Sequence, residues 1–216
     1  MLDDIAQEVG LTRNYLGNEA LDDRVMEAIR QVPRHEFVPE YLRSLAYCNG
    51  PVPIGLGQTI SQPYIVALMT DLLNTKPSDV ILEVGTGSGY QAAILSKLVA
   101  QVYTVEIIGH LAKAAKKRLH RLGYDNVVVL SGNGYYGWPE HAPYDGIIVT
   151  AAAPHITQPL LGQLRVGAQL VIPVGLPYSC QELIVLEKNA DNKIGRRAVL
   201  GVSFVPLTGM HNNNPR

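Results

Sequence analysis

The residues best placed to do chemistry lie in Val80–Ala93, read as VILEVGTGSGYQAA. Val80 to Val84 are apolar apart from Glu83, then Gly85, Gly87 and Gly89 alternate, and a helical pattern begins. Glycine lets the backbone bend sharply and lets a ligand touch the main chain. The helix start beyond it offers unpaired N–H groups and a positive dipole end. A tight strand-to-helix turn needs one glycine. Three alternate glycines after an acidic strand end point to a nucleotide-type ligand.

The dinucleotide fingerprint is G-x-G-x-x-G, whereas this chain has G-x-G-x-G and places Tyr90 where the third dinucleotide glycine would stand. That argues for a ligand without a pyrophosphate at the helix start. The next strand, Val102–Glu106 (VYTVE), ends in a carboxylate able to accept from ribose hydroxyls. Both adenosine cofactor classes use such an acid, and the glycine spacing favours S-adenosylmethionine over NAD.

A second stretch, Thr59-Ile60-Ser61-Gln62-Pro63, runs into an apolar stripe over Tyr64–Asn74. Pro63 suits a first helical turn, which puts Ser61 at or just before a helix N-terminus. The ordinary role of Ser61 there is an N-cap. The alternative is a hydroxyl beside unpaired N–H groups, a seat for a carboxylate. His35, His110, His120, His141, His155 and His211 are scattered and read as surface residues, with His155, just after a strand end at Thr150, kept as a candidate.

The elements that must position these residues alternate along residues 79–150. The pattern predicts strands at 80–84, 102–106, 126–130 and 144–150, and helices over 90–98 and 110–121. Alternation of this kind means a parallel sheet with right-handed crossovers, ligands lying beyond the carboxyl ends of its strands. Glu83, Glu106, Asn133 and Thr150 all fall at such ends. A helix is expected over 22–32, closed by Pro33, and a short helical stretch up to Tyr47. A glycine- and proline-rich loop is expected over 48–58. Beyond Gln158, a short helix should lead to a strand over 166–174 broken by Pro173, then to an antiparallel pair at 182–186 and 198–205 joined by a turn over 189–193. Residues 211–216 read as a polar tail.

With 216 residues, 47% hydrophobic content and a net charge of −1, the chain suits one domain with a proper core. Near-neutral charge weighs against a dedicated nucleic-acid binder. Cys48 and Cys180 have no metal-ligand spacing and read as buried or semi-buried thiols in a reducing compartment. The start, MLDDIAQEVG, has neither the basic nor the apolar region of a signal peptide, and no uncharged apolar run approaches the roughly 18 residues of a membrane span. The expectation is a soluble cytoplasmic monomer with no metal site.

The segments VPRHEFVP (32–39), PIGLGQTISQPYIVALMTDLL (53–73), ILEVGTGSGYQAAILS (81–96), YTVE (103–106), YDGIIVTAAAP (144–154), LVIPVG (170–175) and FVPLTG (204–209) together resemble the protein-L-isoaspartate O-methyltransferase family. The resemblance covers nearly the whole chain, and GQTISQP makes it specific. It implies an α/β, doubly wound, mostly parallel seven-stranded Rossmann-like methyltransferase sheet with an N-terminal helical extension. Residues 1–78 would be the helical and substrate-binding segment, and 79–210 the cofactor-binding sheet. It implies S-adenosyl-L-methionine as cofactor, leaving S-adenosyl-L-homocysteine, and damaged isoaspartyl proteins and peptides as substrates, with no nucleic acid and no membrane. The cofactor residues it implies are Glu83, Gly85, Thr86, Gly87, Ser88, Gly89, Glu106, Ile107, Gly132, Asn133, Gly134 and Thr150. The substrate residues are Thr59, Ile60, Ser61, Gln62 and Thr208, with Ser61 orienting the acceptor. One position departs: the family has Gly-Asp-Gly where this chain has Gly132-Asn133-Gly134. An adenine contact through asparagine is expected to be weaker by ~1 kcal/mol.

An ionised carboxylate needs no general base to attack a sulfonium methyl, so such an enzyme works mainly by positioning. The resemblance implies that the ester then closes to a succinimide, whose hydrolysis returns some normal aspartate. The alternatives are a class I methyltransferase acting on a small molecule or RNA, a non-catalytic S-adenosylmethionine-binding module, and an NAD-dependent reductase.

Overall fold

The computed structural model describes residues 1–16, 20–177 and 179–209. Residues 211–216, read from sequence as a tail, lie outside the described residues, as does His211. The centre is a seven-stranded sheet: β3 (Val80–Val84), β4 (Gln101–Glu106), β5 (Val127–Ser131), β6 (Tyr144–Val149), β7 (Leu164–Val174), β8 (Gln181–Lys188) and β9 (Ile194–Val202). Its spatial order is β5-β4-β3-β6-β7-β8-β9. The first five of these are parallel, and β7–β8 and β8–β9 pair antiparallel. The chain winds outward from β3 to β5, then returns to the other side of β3 as β6. The crevice between β3 and β6 is therefore the point where strand order reverses, which is where open α/β sheets bind ligands.

Helices α4 (Tyr90–Ser96) and α5 (Gly109–Arg121) cross over one face. The N-terminal helices α1 (Leu2–Leu16), α2 (Asp23–Gln31) and α3 (Pro63–Leu72) extend that layer. Ile5, Val25 and Leu68 share a core with Ile81 of β3, Ile94 of α4 and Val199 of β9. The opposite face carries α6 (Gln158–Gln163) and two 3-10 turns, Gly134–Tyr136 and Pro139–His141. There Leu160 and Trp138 pack with Leu82, Val84 and Ile147. Alternate residues of β3 thus feed two cores, which is why it reads as an unbroken apolar run.

Several boundaries differ from the sequence reading. The 48–58 loop holds a hairpin, β1 (Val52–Gly55) and β2 (Gln58–Ile60), turning through Gly55, Leu56 and Gly57, all at positive φ. Its glycines serve a tight turn between strands, and β2 takes in Thr59 and Ile60. The stretch leading to Tyr47 is two 3-10 turns, Arg34–Phe37 and Glu40–Leu45. Pro173 does not break β7. It withholds only an N–H, and its carbonyl still accepts from Ala153 N at 3.0 Å. Strand β9 starts four residues early and stops at Val202. Beyond it, the Gln181 carboxamide takes both backbone groups of Phe204 (2.6 and 3.1 Å), so a side chain replaces the ladder. Helix α1 had no counterpart in the sequence reading. Cys48 and Cys180 are free and exposed, not buried, because both lie in loops outside the packed layers.

Gly134 shows how closely the loop after β5 approaches β3. A Cβ there would stand 2.5 Å from Val84 Cγ1, inside the central strand. Gly134→Ala should lose about 1–3 kcal/mol of stability, the cost of overpacking a rigid contact, in urea unfolding monitored by circular dichroism. A loss below 0.5 kcal/mol would mean that the loop yields.

Candidate active site

The turn after β3 is built from its backbone outward. Gly85, Gly87 and Gly89 all have positive φ, and Gly85 could not carry a Cβ, which would stand 2.5 Å from Thr150 Oγ1. Neighbouring strands hold the turn. Gly85 N donates to Val105 O at 2.8 Å, and Thr150 Oγ1 donates to Gly85 O at 2.6 Å. Glu106 accepts from Gly87 N at 2.7 Å with one oxygen and from Ile108 N at 2.9 Å with the other. Each oxygen keeps further lone pairs, so the carboxylate braces the turn and can still accept from a ligand.

Glu83 lies deeper and is fully buried. Thr104 Oγ1 donates to its Oε2 at 2.5 Å. The Thr86 hydroxyl stands 2.6 Å from Thr104 and, since the Thr104 proton is already committed, is the donor in that pair. Oε1 of Glu83 has no partner. Burial, reinforced by the nearby Glu106 charge and opposed by the Thr104 bond, pushes the carboxyl up to about 8. A buried carboxyl oxygen left unsatisfied is costly, and it fits a cavity that receives a cationic or hydrogen-bond-donating group.

The cavity beyond these strand ends is lined by Glu83, Gly85, Thr86, Gly87, Ser88, Glu106, Ile107, Gly134 and Thr150 from the sheet side. Thr59, Ile60 and Ser61 close it from β2 and the turn before α3, and Thr208 from the C-terminal segment. Hairpin β1–β2 lies over the turn: a Cβ on Gly87 would stand 3.6 Å from Ile54 Cδ1. The structure thus gathers thirteen of the seventeen site residues read from sequence, Glu83 and Ser61 among them, around one cavity.

The other four are Gly89, Gly132, Asn133 and Gln62. Gly89 is the N-cap of α4, and a Cβ there would meet Leu119 of α5 at 3.2 Å, so its role is packing. Gly132 N donates to Glu106 O at 2.9 Å, stitching β5 to β4. Asn133 turns its side chain to protein groups: Oδ1 accepts from Tyr135 N at 3.1 Å and Nδ2 donates to Gly209 O at 2.6 Å. An aspartate could not make the second bond. Gln62 lines an adjoining groove of about 560 Å³, which shares Thr59, Ser61 and Thr150 with the cavity and has Ile65, Val202 and Phe204 in its walls.

Ser61 is not the cap of α3. The N-cap is Gln62, with no side-chain cap bond, and Tyr64 N is taken by Asn49 Oδ1 at 3.2 Å. The Ser61 hydroxyl, one residue earlier, is left to the cavity. Residues in the cavity wall that the sequence reading passed over include Met69 and Gln91. Gln91 Nε2 donates to Thr70 Oγ1 at 2.8 Å, tying α4 to α3. Their apolar or amide character in a helical pattern carries no signal beyond packing. His155 is exposed and does not line the cavity. Among the described residues no three His, Cys, Asp or Glu side chains group as a metal site, and no helix is long and apolar enough to cross a membrane.

The family model for protein-L-isoaspartate(D-aspartate) O-methyltransferase matches residues 11–212. This chain belongs to that family. A relative from Nitrosococcus oceani named protein-L-isoaspartate O-methyltransferase 2 is 61% identical over 211 residues, covering 98% of this chain and 96% of its own. A Polaromonas relative of the same name is 56% identical, covering 97% and 99%. Among solved structures, a protein-L-isoaspartate O-methyltransferase aligns with a TM-score of 0.83 at 28% identity, over 97% of this chain and 66% of that one. A putative isoaspartate methyltransferase from Plasmodium falciparum, in complex with S-adenosyl-L-homocysteine, aligns at 0.77 and 26% identity, over 94% and 96%. The isoaspartate methyltransferase fold of these neighbours is the seven-stranded sheet seen here.

The Glu83 environment has a sign that can be measured. Its folded-state value lies above the unfolded value near 4.5, so the folded chain binds the extra proton between the two. Stability from this group is therefore full below about 4.5 and is lost as pH rises through about 8. Without ligand, wild type minus Glu83→Gln stability, from urea unfolding at pH 5, 7 and 9, should fall across the series. A difference that is flat or rising contradicts the burial argument.

Proposed function

We propose that this chain transfers the methyl group of S-adenosyl-L-methionine to the free carboxylate of L-isoaspartyl residues in damaged proteins and peptides, the opening step of their repair through a succinimide. The observation that carries the reading is that a single cavity is walled by the glycine turn and two acids on one side and by Thr59–Ser61 on the other. When bound, S-adenosyl-L-methionine would supply a methyl carbon on a sulfonium, to which an ionised carboxylate oxygen could bond without a general base as the C–S bond breaks and S-adenosyl-L-homocysteine leaves.

The chain's own residues bind, orient and shield. Glu83, through its unpartnered oxygen, holds the amino end of the cofactor, and Glu106 its ribose. The exposed backbone of Gly85–Gly87 lets the cofactor lie against the main chain. Ile107 and Gly134 flank the adenosine end. Asn133 acts at one remove, by fixing Gly209 and with it the segment containing Thr208. On the other side, Ser61 donates to the acceptor carboxylate, and Thr59, Ile60 and Gln62 shape the approach to it. Holding the oxygen in line with the methyl group and excluding water supplies most of the acceleration. The peptide on either side of the isoaspartyl residue lies in the groove walled by Ile65, Val202 and Phe204.

The same reading takes isoaspartyl-containing proteins and peptides as partners of a monomer in the cytoplasm. A net charge of −1 provides no basic surplus for nucleic acid. Two free, exposed thiols suit a reducing compartment.

The deciding assay is transfer of labelled methyl from S-adenosyl-L-methionine to an isoaspartyl peptide and to its normal aspartyl twin. Methylation of the first alone is the expected outcome, and labelling of neither or of both overturns the reading. Ser61→Ala should lower kcat/KM for the isoaspartyl peptide by roughly 10- to 100-fold, the worth of a hydrogen bond to a charged group, while S-adenosyl-L-homocysteine binding by calorimetry stays within about threefold. Full turnover in the variant would leave Ser61 without a role in orienting the acceptor.

A further inference from the structure

The segment Val32–Pro39 contains a buried charge that no step above uses. Arg34 is 0% exposed. The titratable side chains it feels are Tyr90 and Tyr47, and among the described residues no carboxylate pairs with it. Its Nε donates to Ala46 O at 2.8 Å and its Nη2 to Ser61 O at 2.6 Å. The guanidinium carbon lies 4.8 Å from the centroid of the Tyr90 ring, and Nη1 has no partner. Tyr90 is the first residue of α4, directly after the glycine turn, and its ring packs edge-on against Phe37 of the same N-terminal segment at 5.5 Å.

One side chain therefore touches both halves of the site. It grips the peptide unit of the residue that faces the acceptor, and it rests on the residue that begins the cofactor-side helix. Burying a cation without a counter-anion is costly, so such a residue persists where nothing cheaper does its work. A planar fork that bridges two carbonyls while stacking on a ring is a geometry lysine cannot copy. A neutral residue of similar length could fill the space but would leave both carbonyls without their donors.

We propose that Arg34 is a positioning residue for methyl transfer: by gripping the Ser61 carbonyl while resting on Tyr90, it sets the Ser61 turn at a fixed distance from the cofactor turn. The inference rests on the reading that Ser61 meets the acceptor carboxylate. Two consequences separate it from a plain stabilising role. Loss of Arg34 should act on the acceptor side and spare cofactor binding, and it should act through Ser61.

The test is a double-mutant cycle of Arg34→Met with Ser61→Ala, with Arg34→Lys alongside in case the methionine variant does not fold. Kinetics are corrected for the folded fraction. In the wild-type background Arg34→Met should lower kcat/KM for the isoaspartyl peptide by roughly 10- to 100-fold, the range for one lost charge-assisted hydrogen bond. Arg34→Lys should recover part of that loss and no more. In the Ser61→Ala background, removing Arg34 should cost no more than about threefold, because the group it positions is gone. S-adenosyl-L-homocysteine affinity, measured by calorimetry, should stay within about threefold throughout. Equal losses in both backgrounds, a loss confined to cofactor affinity, or full activity per folded molecule in Arg34→Lys each overturn the proposal. Failure of the wild type to methylate any isoaspartyl peptide is a different result, and it removes the functional reading beneath the proposal.

Discussion

The rest of the site depends on a backbone constraint: within five residues the chain must pass from β3 to α4 through three positive-φ positions, Gly85, Gly87 and Gly89. A turn so far from the ordinary regions of backbone space is held in place by its surroundings. Here β4 holds it through the Val105 carbonyl and the Glu106 carboxylate, and β6 through the Thr150 hydroxyl. The same three strand ends form the crevice where strand order reverses. Turn geometry, sheet topology and the cavity are thus one arrangement: the contacts that brace the turn line the site that it opens.

The second half of the site reaches the cavity by a different route. Hairpin β1–β2 lies over Gly87, and the chain then passes through Ser61 into α3, whose Thr70 is bound by Gln91 of α4. Helices α3 and α4 share one core, with Leu68 and Ile94 among its members. Residues 1–78 therefore do not sit beside the sheet as an appendage. They are packed into the layer that carries α4, so the Thr59–Ser61 side of the cavity is held to the glycine-turn side by buried contacts. For a reaction governed by positioning, that rigid link matters as much as any single polar group.

What was legible in the sequence follows from how local each cause is. The glycine turn, Glu106 and the β3–α4 unit were legible because positive-φ turns and unbroken apolar strands leave their mark within a few residues. The hairpin at 52–60 was not, because the glycines and prolines that close a turn between strands also mark a loop. Pro173 looked like a break, and what keeps β7 whole is pairing with Leu183 and a bond from Ala153, partners far along the chain. Ser61 could be read from sequence as a cap or a ligand residue, and the fold removes the first role by placing the N-cap on Gln62. The departure from the family's aspartate at Asn133 was visible in the sequence, but only the fold brings Gly209 within reach of its amide. Nothing in the spacing of VPRHEFVP says that its arginine is buried against a tyrosine more than fifty positions later, as the residue numbers show.

Glu83 on β3 and Glu106 on the adjoining β4, two positions past the partner of Glu83, are acids of the same type whose surroundings differ. Glu106 is 6% exposed and has both oxygens on backbone N–H groups. Glu83 is fully enclosed, has one hydroxyl partner and is pushed up to about 8. A cationic group entering the cavity reverses that balance, because it satisfies the free oxygen and favours the carboxylate. The acids suit a cationic cofactor and would repel an anionic acceptor. In the proposed reaction the acceptor carboxylate needs groups of the opposite character, and the turn before α3 offers a hydroxyl and the positive end of a helix. On that proposal, the separation of charge across one cavity, acids from the sheet and donors from the N-terminal layer, would let a sulfonium and a carboxylate be held in the same small space.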